Sequence, residues 1–381
     1  MSVYLDNAAT SFPKPSTVYL AVERYMREIG TSPGRGTYSR ARAADEVVAR
    51  ARAALARLLN IPRADRLVFT SNVTESLNLA IKGAVRPGDH VVTTAMEHNA
   101  VWRCLKALES EGVIEVAVAP CGRDGTLDPD DLLSLLRPAT RLIVMVHASN
   151  VTGTLMPVEA VASAARLRGI SLLLDAAQTA GAYELDVQAL GVDLLAFTGH
   201  KGLLGPQGTG GLYIRDGIVL RPLKEGGTGS ESVLERQPDE LPDRYEAGTL
   251  NGPGIAGLGA AAEFLLAEGI RRVAEHERAL TREALGRLSK IPGLLVYGPK
   301  DPDRQVGVIS FNLSGISPAD LAYALDEMYG IMVRAGLHCA PQAHRSLGTI
   351  DQGTVRASFS YLSTTSDVER LAGALHDIAS R

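Results

Sequence analysis

The sequence predicts an α/β fold built on parallel strands, followed by a smaller α+β part. Two observations support this prediction. Between residues 66 and 174, short apolar runs typical of buried strands alternate with helical segments, an order that favours parallel strands joined by helical crossovers. Beyond residue 306 the alternation ends, because two strand-like runs, 330–334 and 354–360, follow a single helix. We therefore expect a large α/β domain and a small α+β domain.

Length and composition are those of a globular protein of about two domains. The chain has 381 residues, of which 45% are hydrophobic and 22% charged, so it can bury a large core. The net charge of −4 argues against a nucleic-acid partner, and the densest basic run, 35–52, is predicted to be a solvated helix face. Three cysteines favour a reducing compartment, and no targeting signal or membrane-length run is seen, so we expect a cytoplasmic protein without a membrane partner.

The N-terminal third begins with an extended segment. Residues 5–15 contain two prolines, which disfavour a helix, and a helix is predicted for 16–29. A loop at 31–36 precedes a long alanine-rich helix at 43–59. The alternating region follows, with strands predicted at 66–70, 91–94, 115–118, 142–146 and 171–174 and helices at 101–111, 129–136 and 158–168.

The C-terminal third begins with a change of composition. Residues 222–243 are rich in Gly, Ser, Glu and Pro and lack periodicity, which predicts a long loop beside the site. Helical patterns then resume, and we place the border of the small domain near Leu265, with a large domain at 15–265 and a small domain at 266–381. In the small domain, Ser317 is predicted to cap helix 318–328, and Ser366 to open the last helix through a capping box.

A lysine stands between a buried strand and a glycine-rich turn. The apolar run 192–197 leads through Thr198 and His200 to Lys201, and the turn 203–211 follows. This position fixes the backbone and directs the amine into a cleft, which suits a lysine that forms a Schiff base with an aldehyde. A solvated loop lysine would explain the same spacing.

A second apolar run ends in a carboxylate. Residues 170–174 lead to Asp175, and Gln178 follows. A carboxylate at the end of a buried strand needs a partner. The pyridinium nitrogen of pyridoxal phosphate is one, because it must stay protonated for the ring to act as an electron sink. Asp175 and Lys201 together therefore favour a pyridoxal-phosphate enzyme.

Small hydroxyl residues follow another strand and open a helix at 71–78. Free backbone N–H groups at a helix N-terminus form an anion site, so a phosphate could bind there. Simple capping of the helix by Thr74 or Ser71 would explain the same residues.

Several motifs, in this order, resemble those of class V aminotransferase-type enzymes of pyridoxal-phosphate fold type I, and among them the cysteine desulfurases. These motifs are at 4–10, 175–178, 198–201, 246–249 and 334–340. The resemblance covers nearly the whole chain, and the last motif is closest to group II desulfurases and selenocysteine lyases. It implies a large domain with a mostly parallel seven-stranded sheet, and a small domain that residues 1–14 join.

The resemblance implies how the cofactor ring is held. Lys201 is expected to bind pyridoxal phosphate covalently, Asp175 to face the ring nitrogen and His98 to stack on the ring as a further catalytic residue. Asn150 and Gln178 are expected to hydrogen-bond near the phenolic oxygen. A structural histidine and a turn-forming asparagine are the alternatives for His98 and Asn150.

The resemblance also implies the phosphate contacts. Thr74, Thr198 and His200 are expected to bind the phosphate within one chain. Thr249 occupies the position that reaches the phosphate of the neighbouring subunit, which implies a homodimer with shared active sites.

Cys339 is the candidate nucleophile among the three cysteines. Cys104 lies on an apolar helix and Cys121 in a turn, so both are predicted to be structural or incidental. The basic neighbours of Cys339 are Arg334, His338, His344 and Arg345. Positive surroundings favour a thiolate. The resemblance implies that Lys201 removes the α-proton of L-cysteine and that the Cys339 thiolate takes its sulfur, leaving a persulfide and L-alanine.

The resemblance places the substrate carboxylate on Arg356 through two hydrogen bonds, with Arg334, Asn150 and Ala8 as further substrate contacts. Leu337 departs from the group II pattern, in which two histidines precede the cysteine. This departure leaves open a preference for L-selenocysteine and the alternative of another pyridoxal-phosphate C–S lyase. A sulfur-relay scaffold that docks an acceptor protein is the alternative from another class. Sulfur supply for iron–sulfur cluster assembly is the implied pathway, and no metal site is predicted.

Overall fold

The computed structural model describes residues 2–34 and 36–381. In these residues the strands are β1 (Val3–Tyr4), β2 (Leu67–Thr70), β3 (Asp89–Thr94), β4 (Ile114–Ala119), β5 (Thr140–Val146), β6 (Ser171–Asp175), β7 (Leu194–Thr198), β8 (Gly210–Ile214), β9 (Leu294–Tyr297), β10 (Val308–Leu313), β11 (Ile331–Met332), β12 (Arg334–Gly336) and β13 (Thr354–Ser358). The helices are α1 (Ser16–Arg24), α2 (Ser39–Leu58), α3 (Val73–Ala84), α4 (Asn99–Ser110), α5 (Pro129–Leu133), α6 (Val158–Leu167), α7 (Val187–Leu190), α8 (Gly252–Glu268), α9 (Ile270–Leu288), α10 (Pro318–Tyr329), α11 (Pro341–Leu347) and α12 (Thr365–Ala379).

The largest sheet has seven strands in the order β2-β8-β7-β6-β5-β3-β4. Strand β8 is antiparallel to both of its neighbours, and the other neighbouring pairs are parallel. Helices α3 to α7 connect successive strands from β2 to β7. The predicted α/β fold with a mostly parallel seven-stranded sheet is therefore confirmed.

Strand β8 occupies the end of the stretch that the sequence predicts as a glycine-rich turn. Its glycines are required by close packing: a Cβ on Gly211 would lie 2.4 Å from the ring of Phe197, and one on Gly210 would lie 2.7 Å from the backbone of Asn72. Glycine in a strand often marks such a close approach. The prediction of a turn through residue 211 was wrong because these glycines serve packing.

Both faces of the large sheet are covered. Leu142 and Leu173 belong to one hydrophobic cluster, while the next residues along the same strands, Ile143 and Leu174, belong to another. Successive side chains of a strand point to opposite faces, so two buried clusters mean two covered faces. The carboxyl ends of the parallel strands then lie at one edge, where ligands bind in open α/β sheets.

A second, four-stranded antiparallel sheet has the order β12-β13-β10-β9. Strand β1 pairs in parallel with β11, so Val3 near the N-terminus lies beside Ile331. Val3 shares a hydrophobic cluster with Phe311 and Leu280, whereas Val273, on the same helix as Leu280, packs in a cluster of the large sheet. Helix α9 thus spans both cores, and the domain borders 1–14, 15–265 and 266–381 stay a proposal.

Some helix ends differ from those predicted. Thr364, and not Ser366, caps α12. Its hydroxyl accepts a hydrogen bond from the Asp367 N–H (3.3 Å), and the Asp367 carboxylate accepts one from the Thr364 N–H (2.8 Å). Ser317 caps α10 as predicted, since its hydroxyl accepts from the Asp320 N–H (3.1 Å). The predicted helix 16–29 is α1 followed by a π-helical turn, Tyr25–Ile29.

The basic run 35–52 lies mostly on α2, with Arg35 itself outside the described residues. It is not entirely a solvated face. The Arg52 guanidinium is buried and pairs with the Glu246 carboxylate at 2.6 Å. The predicted loop 31–36 likewise includes Arg35, which is not described.

Helix α8 follows an irregular segment, 215–251, that contains the predicted loop 222–243 and holds no helix or strand. Its buried residues include Ile255, Leu258 and Leu265, and it packs against α1 and α2. Within the described residues, no single helix has the length and apolar character to cross a membrane. Among these helices, only α8 and α9 taken together meet both conditions, and they are bent by 83° at their junction.

Candidate active site

Lys201 follows β7 in a tight turn in which its carbonyl accepts a hydrogen bond from the Leu204 N–H (2.8 Å). The side chain is only partly exposed. Burial lowers the pKa of the amine to about 8, with Asp175 opposing this shift and Arg356 adding to it. An amine of this pKa is partly neutral near physiological pH and can act as a nucleophile or a base. These surroundings do not fit a solvated loop lysine.

Asp175 ends β6 as a carboxylate that is only 2% exposed. Its Oδ1 accepts a hydrogen bond from the Ala177 N–H (2.9 Å), and no ion pair to it is seen within the described chain. Burial raises its pKa, while the bond from Ala177 and the charge of Lys201 oppose this shift. A buried carboxylate in this state is stabilised by a nearby cation, so the site suits the protonated nitrogen of a pyridinium ring.

Three buried polar atoms near these residues have no hydrogen-bond partner within the described chain. They are Oδ1 of Asn150, Nδ1 of His200 and Nε of Arg356. Buried polar atoms are normally paired, so these atoms indicate where a polar ligand binds. Pyridoxal phosphate, with a ring nitrogen, a phenolic oxygen and a phosphate, fits this set of groups.

The N-terminus of α3 is capped by Asn72 and by neither of the predicted caps. The Asn72 side chain accepts from the Glu75 N–H (3.0 Å), and the Ser71 hydroxyl instead bonds to the Glu75 carboxylate. Thr74 is exposed on the first turn of this helix. Since Asn72 provides the cap, the Thr74 hydroxyl is not needed for capping. It lies at a helix N-terminus, which attracts anions.

His98 caps α4, and its Nδ1 accepts a hydrogen bond from the Ala100 N–H (3.0 Å). Burial lowers its pKa to about 4, with the positive charge of Lys201 acting in the same direction. The imidazole is therefore neutral near pH 7, with its proton on Nε2. A neutral ring can stack on a protonated pyridine without charge repulsion.

The other predicted phosphate contacts lie on both sides of Lys201 in the sequence. The Thr198 hydroxyl is buried and donates to the Thr209 carbonyl (3.4 Å). The His200 carbonyl accepts from the Ser11 N–H (2.9 Å), and burial lowers the pKa of the His200 imidazole to about 4. Thr249 is exposed, and no hydrogen bond joins it to Thr198 or His200 within the described residues.

Gln178 and Ala8 meet where the N-terminal segment crosses the site. The Gln178 side chain donates to the Ala8 carbonyl (3.1 Å), and the Ala8 N–H donates to the Ser358 hydroxyl (2.8 Å). The N-terminal segment is therefore anchored to the segment after β6 on one side and to β13 on the other.

Arg356 on β13 is only 1% exposed and already has partners. Its Nη2 pairs with Asp6 Oδ1 at 2.7 Å, and its Nη1 donates to the Asn150 carbonyl at 3.0 Å. Arg334 on β12 pairs directly with Arg356 on β13, so the sheet carries two arginines side by side. Both arginines raise the local positive potential, which suits an anionic substrate group.

Cys339 lies in a strained turn. Both His338 (φ 49°) and Cys339 (φ 58°) adopt the left-handed conformation, which costs free energy in residues other than glycine. Two hydrogen bonds hold the turn on the site: the Asn99 N–H donates to the Cys339 carbonyl (2.7 Å), and the Asn150 side chain donates to the His338 carbonyl (2.7 Å). The thiol itself is exposed.

Of the basic residues predicted around Cys339, Arg334 is the one whose charged side chain lies close to the sulfur. Arg334 Nη2 lies 3.8 Å from the sulfur. Burial lowers the pKa of His338 to about 2 and that of His344 to about 4, so neither imidazole carries a charge at neutral pH. Sequence proximity overstated the positive charge because it does not show burial. In contrast, burial raises the pKa of Cys104 to about 11 and that of Cys121 to about 12, which fits their predicted structural roles.

The sequence prediction missed three carboxylates. Asp6 pairs with Arg356, while Glu97 and Glu277 are buried acids whose pKa burial raises to about 8. A signal for Glu277 exists, because it falls on the helical stripe that also holds Val273 and Leu280. Glu97 lies three residues beyond the end of the buried strand β3, and Asp6 stands in the motif at 4–10.

The comparisons with known proteins agree with this geometry. The family model for aminotransferase class-V matches residues 3–371. The chain belongs to this family. Enzymes of this family depend on pyridoxal phosphate.

Relatives of similar length carry one name. The chain is 38% identical to a probable cysteine desulfurase of Methanothermobacter thermautotrophicus, over 99% of this chain and 94% of the relative. It is 35% identical to a probable cysteine desulfurase of Halalkalibacterium halodurans, over 98% of this chain and 92% of the relative.

Solved structures give the same result. The apo structure of a cysteine desulfurase from Thermococcus onnurineus matches with a TM-score of 0.94 and 33% identity, over 100% of this chain and 95% of that one. A cysteine desulfurase of Escherichia coli in an S-sulfonic acid form matches with a TM-score of 0.89 and 31% identity, over 100% and 94%.

Proposed function

We propose that this protein is a cysteine desulfurase, which converts L-cysteine to L-alanine and keeps the sulfur as a persulfide on Cys339. The observation that carries the proposal is the tethering of the exposed Cys339 turn. Its backbone is bonded to Asn99, which follows His98, and to Asn150, so the thiol belongs to the same site as Lys201 and Asp175. The names of the relatives agree with this activity.

Several residues that would hold pyridoxal phosphate have a charge without an ion-pair partner or a polar atom without a hydrogen-bond partner within the described chain. Asp175 would face the ring nitrogen, His98 the ring, and Asn150 and Gln178 the phenolic oxygen, with Lys201 as the covalent anchor. The phosphate would be bound by Thr74, Thr198 and His200. When bound, the cofactor supplies an electron sink for the carbanion formed at the substrate Cα.

Different side chains of the protein then bind L-cysteine and accept its α-proton. Lys201, with a pKa of about 8, accepts the α-proton in its neutral form. Arg356 binds the substrate carboxylate with the donors that Asp6 and the Asn150 carbonyl leave free, and Arg334 adds positive charge. Ala8 closes the site from the N-terminal segment.

Sulfur transfer is balanced without an external oxidant. The Cys339 thiolate attacks the substrate sulfur, an S–S bond forms, and the C–S bond breaks with its electron pair left on Cβ. Cβ takes up a proton and becomes the methyl group of alanine. The two thiols thus supply both sulfur atoms of the persulfide. One thiol proton ends on Cβ, where a C–H bond takes the place of the C–S bond, and the other thiol proton stays on the terminal sulfur. The persulfide would then pass to an acceptor, in the manner of a sulfurtransferase.

The assembly and setting of the enzyme belong to the same proposal. Thr249 is exposed, as expected if it serves the phosphate of a neighbouring subunit in a homodimer. A protein acceptor, sulfur supply for iron–sulfur cluster assembly and a cytoplasmic location complete the proposal. Leu337, 37% exposed beside the Cys339 turn, lies where an acceptor or a selenocysteine-specific contact would act.

The test uses the protein reconstituted with pyridoxal phosphate and given L-cysteine or L-selenocysteine. We expect alanine in amounts that match the sulfide released when a thiol reductant regenerates Cys339. Pyruvate and ammonia in place of alanine would identify a C–S lyase and overturn the proposal. Alanine from L-selenocysteine alone would identify a selenocysteine lyase.

A further inference from the structure

A small cavity with a mixed polar and apolar lining adjoins Lys201. Lys201 and Glu277 both line it, together with the polar side chains of Asn7, Ser11 and Gln178. The cavity has a volume of about 20 Å³. A space of this volume holds a water molecule when several hydrogen-bonding groups surround it. The cavity therefore offers room for a water molecule between Lys201 and Glu277.

A second cavity continues from Glu277 toward the protein surface. It shares Glu277, Ala182 and Gly307 with the first and reaches Arg278 and Asp303. Arg278 and Asp303 form a solvent-exposed ion pair at 3.5 Å. Glu277 therefore stands where a cavity that reaches Lys201 meets a cavity that reaches solvent.

Glu277 has the properties of a group that can carry a proton. It is 6% exposed on α9, and no ion pair to it is seen within the described residues. Burial raises its pKa to about 8, while a hydrogen bond from the Tyr361 backbone opposes this shift. The pKa of Lys201 is also about 8. Groups of matched pKa exchange protons in both directions without a large free-energy cost.

The charged groups around these cavities come from three elements. Lys201 comes from the turn after β7, Arg278 from α9 itself and Asp303 from the segment before β10. Arg278 and Asp303 neutralise each other at the surface. The main influence of charge on the inner cavity is therefore that of Lys201 and Glu277.

We propose that Glu277 relays protons between solvent and Lys201 through water in these two cavities. The proposal rests on the desulfurase function proposed above. In that reaction Lys201 takes the α-proton and must lose or return it, while Cβ needs a proton that comes from a thiol. Glu277 gives its carboxyl proton to water on the side of Lys201 and takes up a proton from water on the solvent side, or the reverse. The carboxyl group ends in the state in which it began, and no electrons are transferred. Glu277 acts through Lys201 and is a positioning and relay residue.

The test follows the α-hydrogen of the product. The protein reconstituted with pyridoxal phosphate is given L-cysteine with protium at Cα in D₂O, and the protium fraction at Cα of early alanine is measured by mass spectrometry. In the wild type we expect mostly deuterium, because the proton on Lys201 exchanges before it returns. Glu277→Gln keeps the shape and an acceptor for the Tyr361 N–H but cannot titrate, so the protium fraction should rise several-fold. Glu277→Asp, which restores a carboxyl group, should lower it again.

Matched variants separate the relay from other effects. Glu275→Gln makes the same change of charge on an exposed position of α9 and should leave the protium fraction unchanged. If Glu277→Gln does not fold, Ala182→Val narrows both cavities and should raise the protium fraction by itself. Alanine from Glu277→Gln with the wild-type protium fraction would overturn the relay. A wild type that makes no alanine would refute the desulfurase function instead.

Discussion

The Nη2 atom of Arg334 lies 3.8 Å from the sulfur of Cys339 and is the positive group closest to this exposed thiol among the described residues. Strand β12 fixes Arg334 through its pairing with β13. Hydrogen bonds from the Asn99 N–H and the Asn150 side chain fix the turn that carries Cys339. The thiol and the guanidinium are thus held together by separate parts of the fold. The fixed positive charge beside the sulfur attracts an anionic reagent or substrate group.

Replacing Arg334 should change how Cys339 discriminates between charged reagents. Iodoacetate is an anion and iodoacetamide is neutral, so the guanidinium accelerates alkylation by the first more than by the second. In Arg334→Gln the ratio of the two alkylation rates should fall by about threefold or more at low salt, and salt should reduce the difference. Mass spectrometry of the peptide containing Cys339 measures both rates. Arg345→Gln, an exposed change on α11, is the control, and an equal fall in that variant would contradict the prediction.

Cys339→Ser should separate cofactor binding from sulfur transfer. The groups proposed to hold pyridoxal phosphate and L-cysteine, among them Lys201, Asp175 and Arg356, are unchanged, so L-cysteine should still alter the absorbance of the bound cofactor. Alanine formation should fall by on the order of a thousandfold or more, the scale for losing a nucleophile from a cooperating set. L-Selenocysteine should be partly spared.

The other cysteines provide the controls for this prediction. Cys121→Ser removes a thiol that is partly buried, and burial raises its pKa to about 12, so alanine formation should persist. Cys104→Ala should also keep the activity, with a loss of stability from the core cavity it leaves. Alanine that persists in Cys339→Ser would show that the sulfur leaves by another route.

The parts of the site that lie at strand ends could be predicted from the sequence. Asp175 and Lys201 could be placed together because parallel strands bring their carboxyl ends to one edge of the sheet. The small domain was recognisable from the loss of alternation after residue 306. Strand β8 was missed because Gly210 and Gly211 are needed for packing against Asn72 and Phe197, and this looks the same in sequence as a turn.

Burial was the property that the sequence did not reveal. His338 and His344 were predicted as positive neighbours of Cys339, yet desolvation keeps both imidazoles neutral. Glu277 follows the helical stripe of α9, but among the many charged residues of that helix it did not stand out. Contacts between distant segments, such as Asp6 with Arg356, also require the fold.

Shared active sites predict complementation between two inactive chains. Lys201→Ala lacks the covalent anchor of the cofactor, and Thr249→Ala lacks the contact proposed to reach the neighbouring phosphate. In a mixed dimer one site then gathers both lesions and the other has neither, so activity should return to about a quarter to a half of the wild-type value. Alanine formation after co-refolding of the two chains measures it. Lys201→Ala mixed with Cys339→Ser, two changes proposed to serve one chain's own site, is the control and should not recover. A stable, active monomer in sedimentation would contradict the shared site.

The buried acid Glu97 should make stability depend on pH in a defined direction. Its Oε1 accepts from the Thr94 hydroxyl (2.6 Å) and from the Val146 N–H (3.0 Å), and burial raises its pKa from 4.5 to about 8. Below pH 4.5 the carboxyl is protonated in both the folded and the unfolded state. Between about pH 5 and 8 the unfolded state ionises while the folded state keeps its proton, so the free energy of unfolding falls as pH rises.

Glu97→Gln isolates this effect, because its amide oxygen can accept the same two hydrogen bonds and does not titrate. Relative to this variant, the wild type should lose about 1.4 kcal/mol of unfolding free energy per pH unit over that window, on the order of 4 kcal/mol in all. Urea denaturation at pH 5, 6, 7 and 8 measures the difference. Glu277 titrates in the same window but is present in both proteins, so its contribution cancels. The matched variant Glu275→Gln changes an exposed carboxylate, and its difference from the wild type should stay flat. If the difference between wild type and Glu97→Gln is also flat, Glu97 is ionised in the folded protein, and the desolvation argument for this site is wrong.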